Sequence, residues 1–183
     1  MNLRKTDIAG NRALCKKAKA LYKSAFPKEE RVPWWLLRLT SHAKHSSIDA
    51  YLDGDMFCGF TFSTVVDNMY FVMFFAVDDA IRGKGYGSAI LSKIKNDNPD
   101  KTVVLNIEPI VEDAENLEER KNRLAFYQKN GFKDTGYLVR EVGGVFSVMS
   151  TSDTVDVATY KNVFKAVTCG LWDVEIKKAE LWK

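Results

Sequence analysis

Apolar residues recur along this chain with two different periods, and the changes of period divide it into elements. After Asn11, a residue type suited to capping, Leu14, Ala18, Leu21, Tyr22 and Ala25 recur at helical spacing, which predicts a helix that Phe26 and Pro27 end. A short strand over Asn2 to Lys5 precedes it. Pro33 suits a first helical turn, and WWLLRL after it gives a second helix an apolar face. From Ile48 the pattern becomes that of strands: IDAYL, MFCGFTFSTVV and MYFVMFFAV, separated by DGD and DN, predict an antiparallel meander with tight turns. Gly85 to Asn96 reads as a helix bounded by Pro99, TVVLNI as a buried strand, and Leu117 to Lys129 as a helix closed by Asn130 and Gly131. YLVREV and VFSVM flank Gly143 and Gly144 as a hairpin, and Val155 to Val167 reads as a terminal helix. The class expected is α+β, a mixed and mostly antiparallel central sheet flanked by helices, with one crossover of strand, glycine loop, helix and strand.

Length and composition narrow this reading. At 183 residues, against roughly 150 per domain, the chain is expected to form a single domain over 1–183, and no linker, repeat or low-complexity tract divides it. Residues 150–183 read as a C-terminal extension without an assignable role. The 27 basic and 24 acidic residues leave a net charge of +3, too slight to imply a nucleic acid or an anionic membrane as partner. Cys15, Cys58 and Cys169 are odd in number and lack metal or redox spacing, which favours reduced thiols and a cytoplasmic protein. The longest apolar run, Met69 to Val77, falls well short of the ~20 residues that span a bilayer, and the N-terminus lacks a secretory apolar segment. His42 and His45 lack a third ligand, so a surface pair is favoured over a metal site and no metal is expected.

The chemistry concentrates where an apolar strand runs into Arg82, Gly83, Lys84, Gly85, Tyr86 and Gly87 and then into a helix. Unpaired N–H groups at a helix start point at an anion along the favourable end of the macrodipole, and glycines let a phosphate approach the backbone. A dinucleotide fingerprint fails, because Ser88 stands where its third glycine belongs. A P-loop fails too, because Asp78 holds the upstream glycine's place and Gly85 follows Lys84. What remains is Arg82-x-x-Gly85-x-Gly87.

That segment, after Phe75, Ala76 and Val77, resembles the pyrophosphate loop of the GNAT superfamily of acyl-CoA-dependent N-acyltransferases. Downstream, Ala125 to Phe132 is similar to the family's Phe-Tyr-x-x-x-Gly-Phe element. The resemblance implies a GNAT-like fold, acetyl-CoA as co-substrate and no metal. It implies acetyl transfer to a primary amine of a small molecule or peptide, in a ternary complex without a covalent enzyme intermediate. Phe75, Ala76, Val77, Arg82, Gly83, Lys84, Gly85, Tyr86, Gly87 and Ser88 would then hold the cofactor, with Tyr86 packing rather than reacting. Tyr127 would protonate the departing thiolate, and an amide near Ala76, at a strand bulge, would face the thioester oxygen. Where the family often has an asparagine for the pantetheine arm, this chain has Arg120, and Asn122 is out of register.

The residues also admit plainer readings. Tyr127 also admits the reading of a core aromatic with a bonded hydroxyl, the less favoured of the two. Glu108, ending VVLNIE beside the loop, is the carboxylate expected to deprotonate the amine, or else a solvated strand end. Phe26, Glu29, Glu30, Trp34 and Trp35 are candidates to line the acceptor pocket. A non-catalytic acyl-CoA sensor, motivated by Arg120, and a nucleic-acid-binding domain using the basic N-terminal helix are the competing classes, the latter without a recognised reading motif. A homodimer is compatible with all of these.

Overall fold

The computed structural model describes residues 1–42, 45–141, 143–168, 170 and 173–182. Eight strands, β1 (Leu3–Asp7), β2 (Ser46–Asp53), β3 (Met56–Val66), β4 (Met69–Val77), β5 (Thr102–Ile107), β6 (Lys133–Glu141), β7 (Gly144–Ser150) and β8 (Glu175–Lys178), form one sheet in the order β1-β2-β3-β4-β5-β7-β6-β8. Among the described residues only the β4–β5 pair is parallel, and the helix between these strands makes the predicted crossover.

Helices cover both faces. α1 (Arg12–Ala25), α2 (Trp34–Thr40) and α5 (Val157–Val167) pack on one core, and α3 (Tyr86–Asp97) and α4 (Leu117–Lys129) contribute to the other. Asn11 caps α1 as its residue type predicts, its Oδ1 accepting from the Leu14 N–H at 3.0 Å. The helix then buries Leu14, Ala18, Leu21 and Tyr22 at i, i+4, i+7 and i+8. Tyr22 meets Phe74 at 5.0 Å between ring centroids and Trp34 at 5.5 Å, so Trp34 belongs to the core while Trp35 stands 67% exposed. The second tryptophan is therefore on the surface rather than in a pocket.

The C-terminal region has a structural role that its sequence did not show. α5 buries Tyr160, Val163, Phe164 and Val167, and β8 adds a strand beside β6. Asp156 starts α5 by accepting from the Ala158 N–H at 2.9 Å. Cys15 and Cys58 are free thiols, and Cys169 lies outside the described residues. No helix among the described residues is long and apolar enough to cross a membrane.

Candidate active site

The site begins with a defect in the sheet. Between Phe62/Phe74 and Ser63/Val72 the β3–β4 register shifts, leaving Met73 as an extra residue in β4. The bulge reverses which side chains face which core: Met69, Phe71, Phe74 and Ala76 lie on one, and Tyr70, Val72, Phe75 and Val77 on the other. Parallel pairing with β5 ends at Val72/Leu105, so the last residues of β4 separate from it. The Asp78 N–H donates to the Cys58 carbonyl at 2.9 Å, and two-residue alternation from there sends the Ala76 amide towards β3. Those of Phe75 and Val77 face the gap. The bulge thus sits at Met73, and the amide expected to face a thioester oxygen belongs to a neighbour of Ala76. On the β3 side the strands approach closely, because a Cβ on Gly59 would lie 2.4 Å from the Ala76 oxygen.

The gap opens into a cavity of about 1330 Å³, larger than the ~300–1,000 Å³ of a pocket for one small molecule. Phe75, Ala76, Val77, Arg82, Gly83, Gly85, Tyr86, Gly87 and Ser88 line it. Gly83 and Gly85 have φ of +76° and +86°, conformations that a side chain would strain. No side chain caps α3, and the N–H groups of Tyr86, Gly87 and Ser88 have no acceptor among the described residues. This is a cradle for an anion, and it fits a pyrophosphate. Arg82 adds positive charge beside it, paired with Asp79 at 2.8 Å. Lys84 does not line the cavity, its amino group donating instead to the Ala80 carbonyl at 3.3 Å. The Tyr86 hydroxyl donates to Asp53 at 2.9 Å, a packing role.

Tyr127 comes from α4, whose described residues bury that side chain alone. The residue is only 9% exposed, and its ring packs edge-on against Phe126 and Phe132. The hydroxyl has no hydrogen-bond partner among the described residues, yet it is not sealed away, and the residue lines the cavity. A buried tyrosine with only a structural role normally has its hydroxyl bonded. Burial pushes its pKa up to about 12, with Arg123 opposing, so it stays protonated at neutral pH.

Glu108 is placed less favourably for a base. It follows β5 and lines the cavity, but it accepts from Asn116 at 3.1 Å and pairs with Arg120 at 3.2 Å and with Arg123. Burial alone would raise its pKa. The Asn116 hydrogen bond and the two guanidinium groups outweigh that and hold it below the usual carboxylate range. A carboxylate so stabilised in its charged form is a poor proton acceptor, and its geometry is that of an anchor for α4. Arg120 also donates to Asn116 and to the Pro109 carbonyl, so it turns away from the cavity, which Asn116 and Asn122 line instead. The substitution that motivated a non-catalytic reading therefore leaves amide side chains at the gap.

At the far end, Phe26, Glu30, Leu36, Phe146 and Phe164 line the cavity together with Val167, Asp173 and Val174. Of the N-terminal candidates, Phe26 and Glu30 reach it, whereas Glu29, Trp34 and Trp35 do not. Glu141, at the end of β6, also lines the cavity and accepts from Asn106 Nδ2 at 2.9 Å. Asn106 in turn contacts the Tyr160 hydroxyl at 2.7 Å. Sequence reasoning missed Glu141, although Val139 and Glu141 share one face of their strand by period two, and an acidic residue on a buried face was the available signal. Within the described residues, no group of three or more His, Cys, Asp or Glu side chains could hold a metal.

Residues 45–134 match the acetyltransferase (GNAT) domain family. YjbC of Bacillus subtilis (strain 168), which carries an acetyltransferase designation, is 37% identical over 67 residues, 37% of this chain and 32% of that protein. The chain thus matches about a third of the length of this curated relative. A GNAT-family protein from Bacteroides thetaiotaomicron superposes with a TM-score of 0.71 at 22% identity, over 94% of this chain and 100% of that one. An aminoglycoside 6'-N-acetyltransferase complexed with coenzyme A superposes with a TM-score of 0.63 at 15% identity, over 85% of this chain and 100% of that one. These structures share the fold with this chain, and the family match, which takes in the glycine loop and the parted strands, identifies residues 45–134 as a GNAT acetyltransferase domain.

Proposed function

We propose that the protein transfers an acetyl group from acetyl-CoA to a primary amine of a small molecule or peptide, by direct attack in a ternary complex. The observation that carries this reading is the hydroxyl of buried Tyr127, unpartnered among the described residues, in the same cavity as the amides of Tyr86, Gly87 and Ser88, which have no acceptor there. Acetyl-CoA supplies an activated thioester. The loop from Arg82 to Ser88 binds its pyrophosphate through backbone N–H groups, and Arg82 adds charge. Phe75 and Val77 offer backbone N–H groups along the gap, one of which stabilises charge on the thioester oxygen. Because burial makes Tyr127 a weaker acid than a thiol of pKa ~8.5, it acts as a relay to the departing sulfur, its proton replaced by one the amine gives up.

Similarity to a coenzyme A complex supports the choice of co-substrate. The test is an acetyl-transfer screen against polyamines, amino acids, aminoglycosides and peptides, read by released thiol. Thiol release that depends on one class of amine is expected. Acetyl-CoA binding without turnover on any amine would replace the enzyme with a binding module.

A further inference from the structure

The acceptor end of the cavity holds carboxylates that no ion pair neutralises among the described residues, Asp173 with them. Glu141 and Glu30 both line it, and neither forms an ion pair among the described residues. Arg140, beside Glu141 in sequence, also lines the cavity, but its guanidinium pairs with Glu175 at 3.5 Å and stacks over Trp182. Asn106 from β5 holds Glu141, Tyr160 from α5 holds Asn106, and Glu30 faces Glu141 from the turn before Arg31. Around Glu30 stand Glu29, Glu108, Arg120 and Arg123, and the two arginines are occupied by Glu108. A separate observation marks the cavity as a place where a proton is handled, namely the hydroxyl of nine-tenths-buried Tyr127, unpartnered among the described residues. Phe26, Leu36, Phe146 and Phe164 supply apolar wall here, beside Asp173 and Arg140.

We propose that Glu141 is the carboxylate that takes the amine's proton, with Asn106 and Tyr160 as positioning residues. With Glu30 it makes this end of the cavity a receptor for a primary ammonium carried on an apolar body. This deepens the transferase reading above and rests on it. An alkylammonium of pKa ~10.4 is charged at neutral pH and cannot attack. Glu141 accepts one of its protons and becomes a carboxylic acid. The freed nitrogen lone pair forms the C–N bond, the C–S bond breaks, and its electron pair leaves with sulfur. Of the two protons that nitrogen loses, one passes from Glu141 to solvent and the other replaces the proton that Tyr127 gives to sulfur. Burial, opposed by the Asn106 hydrogen bond and reinforced by the charge of Glu30, brings Glu141 to a pKa of about 7, suited to this transfer.

The test titrates hexylamine and ethanolamine into the protein at pH 8, without coenzyme, by calorimetry. It adds the pH dependence of kcat/KM for hexylamine acetylation, and the melting-temperature rise with acetyl-CoA as a control for the cofactor site. We expect hexylamine to bind at least tenfold more tightly than ethanolamine. Glu141→Gln should cut hexylamine affinity about tenfold, abolish the acid limb of the profile and keep the acetyl-CoA shift. Unchanged hexylamine affinity and an unchanged acid limb in a folded Glu141→Gln protein would overturn the proposal. If that variant does not fold, Glu30→Gln takes its place, expected to weaken hexylamine binding and to lower the Glu141 titration seen by carboxyl NMR. No change in either overturns it equally. Absence of any acetyl-CoA shift in the parent protein would instead sink the transferase reading, while the amine titrations would still judge the carboxylates.

Discussion

Gly87 and Phe126 touch so closely that a Cβ on the glycine would lie 3.0 Å from the ring's Cζ, which ties the start of α3 to the helix carrying Tyr127. The glycine therefore serves packing as well as access. Gly87→Val should lose the acetyl-CoA-induced rise in melting temperature and also melt below the parent. Gly83→Ala separates the two effects, since nothing lies within 4 Å of its Cβ and only the φ of +76° opposes it. It should cost about 1–2 kcal/mol of backbone strain. Thermal melts with and without acetyl-CoA check both variants.

Tyr127→Phe removes a hydroxyl that bonds to nothing among the described residues. Its melting temperature should stay within a degree or two of the parent's, while single-turnover acetyl transfer falls ~10²-fold or more. Full-rate transfer by the phenylalanine variant would leave water to protonate the thiolate.

Two of the cavity glutamates, Glu108 and Glu141, should respond to pH in opposite senses. Glu108 has its pKa lowered in the fold, so the stability it contributes is present above its ordinary value of 4.5 and is lost as pH falls through the lowered one. Glu108→Gln should melt below the parent at pH 7, with the gap closing as pH falls below 4.5. Glu141 has its pKa raised, so burying its charge weakens the fold as pH climbs from 4.5 through about 7. Glu141→Gln should gain on the parent between pH 5 and pH 8. Melting curves across this range decide both.

Asp156→Ala unties the start of α5, where Asp156 accepts from the Ala158 and Thr159 N–H groups and from the Thr159 hydroxyl. A loss of about 1 kcal/mol is expected by chemical denaturation. Because α5 carries Tyr160 and Phe164, hexylamine affinity should weaken with it while the acetyl-CoA shift persists.

Much of this architecture was legible because local rules and tertiary packing agree. The cap at Asn11, the meander, β5 over Thr102–Ile107 and α4 over Leu117–Lys129 all follow from patterns that the fold does not override. The cofactor loop was legible for the same reason, since its glycines answer a local backbone demand. Other features depended on distant partners. Nothing in MYFVMFFAV announces that Met73 is the extra residue, because a bulge is defined by the strand opposite. Glu108 looked like a free strand-end carboxylate until Arg120 and Arg123 came round on α4 to meet it. β8 is short, with only Ile176 buried, so no apolar alternation marked it.

The early end of the β4–β5 pairing at Val72 and Leu105 also has a mechanical consequence. The sheet is two plates joined along one side by a short seam, with β1 to β4 on one plate and β5 to β8 on the other. Anything lodged in the opening works as a wedge that braces both plates, so filling it should make them melt as one unit. Amide exchange at Phe75 and Val77 would then slow together with that at Leu105 and Ile107, although no covalent or ladder contact links those four positions across the gap.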